Sequence, residues 1–230
     1  MKLEKMTQAG KVQQNRWYDD ACGTALAMEL VGERWSLLIV RELMFGARRF
    51  GELRAGLPGI SANVLSQRLE GLEAAGILTK RKLPPPANVQ VYELTPWGYE
   101  AEVPIQELGR WAVRSPDHDT SLPLSASSIM MSFRTMIDRS RSGDNPMAIG
   151  FRIGPERFVA LVGADGIAIN REEPDDVATV IDTDPMTLAS VVYGGRPVAD
   201  AEAAGALTIH GDRSAFERFR TLFPLPAKIT

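Results

Sequence analysis

The stretch at residues 57–69, LPGISANVLSQRL, joins a tight turn to the start of a helix. Its Pro-Gly pair favours a turn, and Ser61 is a residue type that caps helix N-termini by accepting a backbone hydrogen bond. The leucines that follow recur at spacings of four and three: Leu65, Leu69 and Leu72. This spacing predicts a helix with one buried face, and Gly76 is expected to end it.

The residues on either side of this stretch predict a helix-turn-helix followed by a β-ribbon. An apolar helical segment at 36–45 and a short helix at 49–54 precede it, and two extended runs at 77–83 and 89–94 flank three prolines after it. A further helix begins at Thr95-Pro96 and is expected to kink at Pro104. This order predicts a winged helix-turn-helix, whose turn presents the helix from Ser61 to the DNA major groove.

The side chains of this segment suit a DNA surface. The net charge of the chain is −3, but residues 48–82 contain seven Lys and Arg against three Glu, and a local basic stripe is sufficient for phosphate contact. Asn and Gln can pair with adenine, and Arg with guanine. The predicted DNA-binding residues are Arg48, Arg49, Ser61, Asn63, Ser66, Gln67, Arg68, Arg81 and Lys82. The pattern alone is equally compatible with an ordinary solvated helix face.

Residue types that build catalytic and metal sites are scarce. The chain has one cysteine, Cys22, and two histidines, so neither an internal disulfide nor a thiolate-rich metal site is expected. It contains no phosphate-binding loop and no nucleophile elbow. We therefore expect no enzyme activity, no cofactor and no metal. Without a long apolar run or the apolar core of a signal peptide, a cytoplasmic protein that does not insert into membranes is expected.

The pattern changes in the second half of the chain. A segment rich in Pro, Ser and Asp marks a boundary, and strands then alternate with helices. The predicted organisation is an N-terminal arm at 1–20, a winged helix domain at 21–115, a linker at 116–128 and a second domain at 129–230. We expect an α+β protein in which the C-terminal domain is an antiparallel sheet with helices.

One set of motifs runs through the first half: Cys22 at the start of the first helix, GERWS at 32–36, RFGEL at 49–53, the stretch at 57–69, LEAAGIL at 72–78 and YELT at 92–95. With these motifs the first half, over about residues 17–115, resembles the HxlR-type winged-helix transcriptional regulators. The resemblance implies a homodimer, with the first and last helices of the module at its interface. It also implies that the helix from Ser61 recognises double-stranded DNA.

Two features of the chain depart from the HxlR pattern. Gly23 follows the cysteine, where the family usually has proline. The returning strand of the ribbon reads Val89-Gln90-Val91-Tyr92 and lacks the arginine that is common in the family.

The second half combines a series of strands with a GGR segment at 194–196 and an LTIHGD segment at 207–212 before a final helix. In these features it resembles sterol carrier protein-like domains. Such domains hold an apolar cavity, so the resemblance implies an apolar or lipid-like small-molecule effector. The residues expected to line the cavity are Met130, Met131, Phe133, Met136 and Val192. Each of them is also compatible with an ordinary packed core.

Two functions agree with these patterns. The first is a dimeric DNA-binding transcriptional regulator controlled by an apolar ligand in the C-terminal domain. The alternative is a carrier or binding protein for a lipid-like ligand, whose helical half mediates protein association and not DNA binding.

Cys22 is in addition a candidate redox-sensing residue, since some HxlR relatives have a sensing cysteine at this place. A reactive thiol needs a lowered pKa, which a helix N-terminus or a nearby cation provides. Asp19 and Asp20 are expected to raise the pKa of Cys22. A buried, unreactive cysteine is the simpler alternative.

Overall fold

The structure, a computed structural model, describes residues 18–143 and 146–230. Nearly all of the predicted arm at residues 1–20 lies outside these ranges. The described chain is a mixed α+β protein, with a helical module and a two-stranded ribbon in its first half and a five-stranded sheet in its second half. None of the helices in these ranges is long and apolar enough to cross a membrane.

The first half contains the expected elements in the expected order. They are α1 (Gly23–Val31), α2 (Ser36–Leu43), α3 (Phe50–Gly56), α4 (Ala62–Ala74), β1 (Leu78–Lys82), β2 (Gln90–Leu94), α5 (Pro96–Tyr99) and α6 (Glu102–Ala112). Helices α3 and α4 form the helix-turn-helix, and β1 pairs antiparallel with β2 to form the wing.

Helix α4 begins and ends where its sequence predicts. The Ser61 hydroxyl accepts a hydrogen bond from the Val64 amide at 3.3 Å. The turn residue Gly59 has φ +90°, and Gly76 after the helix has φ +73°, which are conformations that glycine adopts without steric cost. The leucine seam is buried in the core: Leu65, Leu69 and Leu72.

The helix that follows the wing is broken earlier than its sequence predicts. The expected single helix is two, α5 and α6, and the break lies at Glu100 and Ala101. Pro104 does not kink a helix, because it occupies the first turn of α6. The backbone amides of a first turn have no intrahelical acceptor, so proline removes no hydrogen bond there.

The second half is built from one sheet and five helices among the described residues. Its elements are α7 (Ala126–Met136), α8 (Arg139–Ser142), β3 (Met147–Ile153), β4 (Glu156–Gly163), β5 (Gly166–Asn170), β6 (Thr179–Thr183), α9 (Pro185–Val192), α10 (Val198–Ala203), β7 (Leu207–Gly211) and α11 (Arg213–Phe219). Helix α7 starts within the segment expected to be a linker, because Ser125 caps it by accepting from the Ser128 amide at 3.0 Å.

The sheet is not purely antiparallel. Its strand order is β5-β4-β3-β6-β7. Three of its neighbouring pairs are antiparallel, but β3 and β6 run parallel. The mainly antiparallel arrangement expected for this half is thus found at three of the four pairs. The fourth pair is parallel because the chain passes through β4, β5 and the loop after β5 before it returns beside β3. Such a crossover allows parallel pairing, which a short hairpin does not.

Aromatic rings fill the space between the sheet and its helices. The Phe133 ring centroid lies 4.6 Å from Phe223, 5.2 Å from Phe219 and 6.1 Å from Phe151. The residues expected to line a lipid cavity belong to this packed layer: Met130, Met131, Phe133 and Met136 are buried, and Val192 is half-buried against them. Two clefts of about 420 Å³ each lie elsewhere, one between α1 and α4 and one beside α6.

The two halves share one hydrophobic core. Helix α7 packs against α2 and α6 of the first half and against β5 of the second. At the corner between α2 and α3, the Phe45 ring packs edge-on against Phe158 of β4 at 5.6 Å. The second half is therefore docked directly on the helix-turn-helix scaffold.

We expect Phe133→Ala to lower the free energy of unfolding by about 3–5 kcal/mol, because the truncation leaves a cavity among rings that cannot collapse into it. Leu161→Ala is the control. Leu161 is an exposed residue of β4, and its substitution should change stability by no more than about 0.5 kcal/mol. Urea unfolding followed by circular dichroism measures both. If Phe133→Ala lowered the free energy of unfolding no more than the control does, the Phe133 ring would not be packed among the other rings.

Candidate nucleic-acid interface

One face of α4 is polar and open to solvent. Its exposed side chains recur at helical spacing: Asn63, Ser66, Gln67 and Glu70. Because the leucine seam on the opposite face is buried, this stripe points away from the protein body. It contains amide and hydroxyl groups, which can pair with base edges in the major groove. Ser61 is also exposed, although its hydroxyl already caps the helix.

Arg68 does not belong to this stripe, contrary to its predicted role. Its Nε donates to the Arg34 carbonyl at 3.1 Å, and its Nη2 donates to the Glu33 carboxylate at 2.7 Å. Arg68 therefore ties α4 to the corner between α1 and α2. In this arrangement the guanidinium donors of Arg68 face Glu33 and the Arg34 carbonyl and not the exposed polar stripe.

The same corner presents a cation that sequence reasoning missed. The exposed guanidinium of Arg34 lies 5.2 Å from the centre of the Trp35 ring. Trp35 has the left-handed value φ +82°, and its ring reaches the turn, where a Cβ on Gly59 would lie 3.8 Å from it. Arg34 is thus held beside the start of α4. The motif at 32–36 contains Arg34 but does not indicate this placement, which depends on the backbone turn at Trp35.

The wing carries exposed basic side chains on β1. Arg81 is paired with the Glu93 carboxylate on β2, and this hydrogen bond and charge raise the pKa of Arg81 above its ordinary value. Lys80 and Lys82 are exposed on the same strand, and neither appears in an ion pair with another residue of the described ranges. Lys80 and Lys82 consequently supply the uncompensated positive charge of the wing.

Arg48 and Arg49 are adjacent in sequence but differ in environment. Arg49 is exposed at the start of α3, where its backbone amide donates to Glu52 at 2.8 Å. Only 7% of the Arg48 side chain is exposed, and its guanidinium binds Glu156 in the second half of the chain. The hydrogen-bond donors of Arg48 thus face a carboxylate inside the protein, and the structure does not place them on the exposed surface beside Arg49.

Two further surfaces of the module are apolar and uncovered. No residue of α1 is buried, although most of its side chains are apolar, and Leu26 and Met28 are both exposed. The face of α6 that points away from α7 exposes Val103, Leu108 and Trp111, with 72% of Trp111 accessible. Within residues 18–143 and 146–230, no other segment buries these apolar side chains of α1 and α6.

Comparison with known proteins assigns the first half to a family. Residues 30–120 match the HxlR-like helix-turn-helix family. The HTH-type transcriptional regulator YvaP of Bacillus subtilis (strain 168) is 39% identical over 87 residues, which are 37% of this chain and 80% of YvaP. The chain belongs to the HxlR-like helix-turn-helix family. It is a DNA-binding transcriptional regulator with a mixed α+β fold.

A second relative of this HxlR-type regulator is the HTH-type transcriptional regulator YodB of the same organism. It is 37% identical over 86 residues, which are 37% of this chain and 77% of YodB. The solved structure of reduced YodB has 33% sequence identity and a TM-score of 0.39, and covers 43% of this chain and 97% of that one. The family match ends at residue 120, so the sheet domain lies beyond it.

Cys22 of the HxlR-type regulator is exposed and precedes α1 as its N-cap residue. Its thiol pKa is lowered by hydrogen bonds from the Thr24 amide, the Thr24 hydroxyl and the Ala25 amide. The expectation that Asp19 and Asp20 raise this pKa is wrong, because the Asp20 carboxylate instead accepts from the Cys22 amide at 2.9 Å. Cys22 is also not buried, contrary to the simpler alternative.

We expect the rate of Cys22 alkylation by iodoacetamide to reach half its maximum at a lower pH in the folded protein than in urea. The thiolate is the reactive form, and the N-terminus of α1 stabilises it. Thr24→Val removes one donor and should move the half-maximum pH upward. Because Cys22 is the single cysteine, mass spectrometry reports this site alone. A folded midpoint at or above the unfolded one would contradict the lowered pKa.

Proposed function

We propose that this HxlR-type regulator binds a pseudo-palindromic operator as a homodimer, with α4 of each protomer in the major groove. The observation that carries the proposal is the polar stripe of α4, which the buried leucine seam holds outward. In two-fold dimers of helix-turn-helix proteins, the two recognition helices read half-sites one DNA turn apart, about 34 Å.

The proposed DNA contacts fall into two groups. Asn63, Ser66 and Gln67 read base edges, because their amide and hydroxyl groups occupy the exposed face of α4. The residues proposed to contact phosphates are Arg34, Arg49, Ser61, Lys80 and Lys82. Arg81 would join them if its guanidinium left Glu93 and bound a phosphate instead. Phosphate contacts position the protein on the duplex and carry no sequence information directly.

The uncovered apolar helices support the homodimer. An isolated helix as short as the nine residues of α1 is unstable in water without tertiary packing. A second protomer that covers α1 and the outer face of α6 would bury Leu26, Met28 and Trp111. Burial of such apolar side chains favours association, against the entropy that two protomers lose when they associate.

In the proposed function, the second half of the chain is a domain docked on the DNA-binding module and does not carry a lipid. Its interior is occupied by phenylalanine rings at contact distance, so an apolar ligand would have to displace them. This observation favours the DNA-binding function over the alternative of a lipid-like ligand carrier. An apolar effector and the sterol carrier-like fold therefore have no part in the proposed mechanism.

We include Cys22 in the proposal as a site at which an oxidant or electrophile alters DNA binding. Two observations support this role, the exposure of the thiol and the lowered pKa that raises its thiolate fraction at neutral pH. Helix α1, which begins beside the thiol, belongs to the surface proposed for dimerisation. Modification of Cys22 would in this way act on the dimer.

Gln67→Ala and Lys82→Ala should weaken operator binding in different ways. Loss of the Gln67 amide should cost about 1–3 kcal/mol of discrimination at the base pair it reads. Loss of Lys82 should weaken binding to all sequences and make the slope of log affinity against log salt less negative by about one unit. Fluorescence anisotropy on an operator selected by the wild-type protein measures both effects.

Arg139→Ala is the matched control for these two variants, because Arg139 is an exposed basic residue of α8 in the second half. It should leave affinity, discrimination and salt slope unchanged. If Gln67→Ala lowered affinity equally for every sequence, α4 would not be the base-reading helix.

Leu26→Glu and Trp111→Glu should each convert the dimer into monomers, because a charge is placed on the apolar surface that the partner covers. Leu161→Glu introduces the same charge on an exposed position of the sheet and should leave the dimer intact. Light scattering coupled to size-exclusion chromatography gives the mass of each variant. Dimers that persist in both α1 and α6 variants would show that the protomers associate through another surface.

A further inference from the structure

Arg48 occupies the point where the wing meets the helix-turn-helix. Its backbone amide donates to the Tyr92 carbonyl at 2.9 Å, and its carbonyl accepts from the Tyr92 amide at 2.8 Å, so it forms an isolated antiparallel bridge with wing strand β2. The next residue, Arg49, is the N-cap of α3. A displacement of Arg48 would therefore move the base of the wing and the start of α3 together.

The side chain of Arg48 binds the second half of the chain. Its Nη1 and Nη2 donate to the two carboxylate oxygens of Glu156 at 3.0 and 2.6 Å. Glu156 is the first residue of β4, and 18% of its side chain is exposed. Bidentate pairs of this kind fix orientation as well as distance. Through this pair the sheet domain contacts the residue that bridges to the base of the wing.

Glu156 also forms an ion pair with a second arginine, Arg171, which is half-buried. The Arg171 Nε lies 3.0 Å from a Glu156 oxygen, and the Arg171 guanidinium lies 5.1 Å from the centre of the Phe158 ring. Burial, and then the positive charge of Arg48, lower the pKa of Arg171 below its ordinary value. Arg48 and Arg171 therefore both pair with Glu156. The negative charge of Glu156 offsets the repulsion between the two guanidinium groups.

We propose that Glu156 is a positioning residue for DNA binding, which acts through Arg48 to hold the wing in register with α4. The inference rests on the proposed function, since it assumes that the wing contacts phosphate. It extends that function because Glu156 lies outside the residues that match the HxlR-like family. The sheet domain thereby contributes to operator affinity without touching DNA.

A double-mutant cycle between Glu156 and the wing tests this inference. In the wild-type background, Lys82→Ala lowers operator affinity and makes the salt slope less negative by about one unit. In the Glu156→Gln background the wing is no longer held on the duplex, so Lys82→Ala should have no further effect on affinity or slope. Gln67→Ala should retain its full effect in both backgrounds, because α4 is held by its own leucine seam.

Glu173→Gln is the matched control for loss of charge, because Glu173 is an exposed carboxylate paired with Arg157 at 3.6 Å. In this background Lys82→Ala should keep its wild-type effect. Arg48→Lys provides a second route if Glu156→Gln does not fold. It keeps the charge and the backbone bridge but loses the two-bond geometry, and it should also abolish the effect of Lys82→Ala. Glu156→Asp, which keeps the carboxylate, should restore part of that effect.

Equal effects of Lys82→Ala in the wild-type and Glu156→Gln backgrounds would overturn the inference, even if Glu156→Gln lowered thermal stability. That result would assign Glu156 a purely structural role and leave the proposed function intact. Failure of the proposed function gives a different result, in which Lys82→Ala has no effect on DNA binding in the wild-type background.

Discussion

The burial of α7 on nearly all sides is the constraint on which the rest of the structure depends. Eight of its eleven residues are buried, because α2 and α6 cover one side and the sheet covers the other. Separation of the two halves would expose the apolar side chains of α7 to water, which would destabilise the helix. We therefore expect the DNA-binding module and the sheet domain to unfold as one unit, although the family match includes only the first of them.

Polar groups at this boundary determine how the two halves are oriented. The Glu42 carboxylate, 1% exposed, accepts from the Ser125 hydroxyl at the start of α7 at 2.6 Å. Arg134 of α7 binds Glu102 of α6 at 3.0 Å. Buried charges are costly unless they are paired, so these pairs permit one docking arrangement. The arrangement leaves the polar face of α4 and the lysines of the wing open to solvent.

Much of the fold and part of the site could be predicted because they depend on local chemistry. The turn at Pro58-Gly59, the Ser61 cap and the leucine seam specify α4, and with it the exposure of Asn63, Ser66 and Gln67. Arg48 and Arg68 could not be assigned in this way. Arginine is usually exposed, and the neighbouring sequence gives no reason to expect otherwise for either residue. Their ion-pair partners are distant in sequence: Glu156 for Arg48 and Glu33 for Arg68. Cys22 shows the same limit, since its pKa follows from helix amides and not from its acidic neighbours.

The sequence by itself determined the helix-turn-helix, the wing and the polar face of α4, because capping, turn and periodicity signals act over a few residues. Only the tertiary structure decided that β3 and β6 pair in parallel, that phenylalanine rings fill the sheet domain, and that Arg48 points inward. These features depend on contacts between residues far apart in the chain, such as Arg48 and Glu156. Such contacts form only when the burial of α7 brings the two halves together.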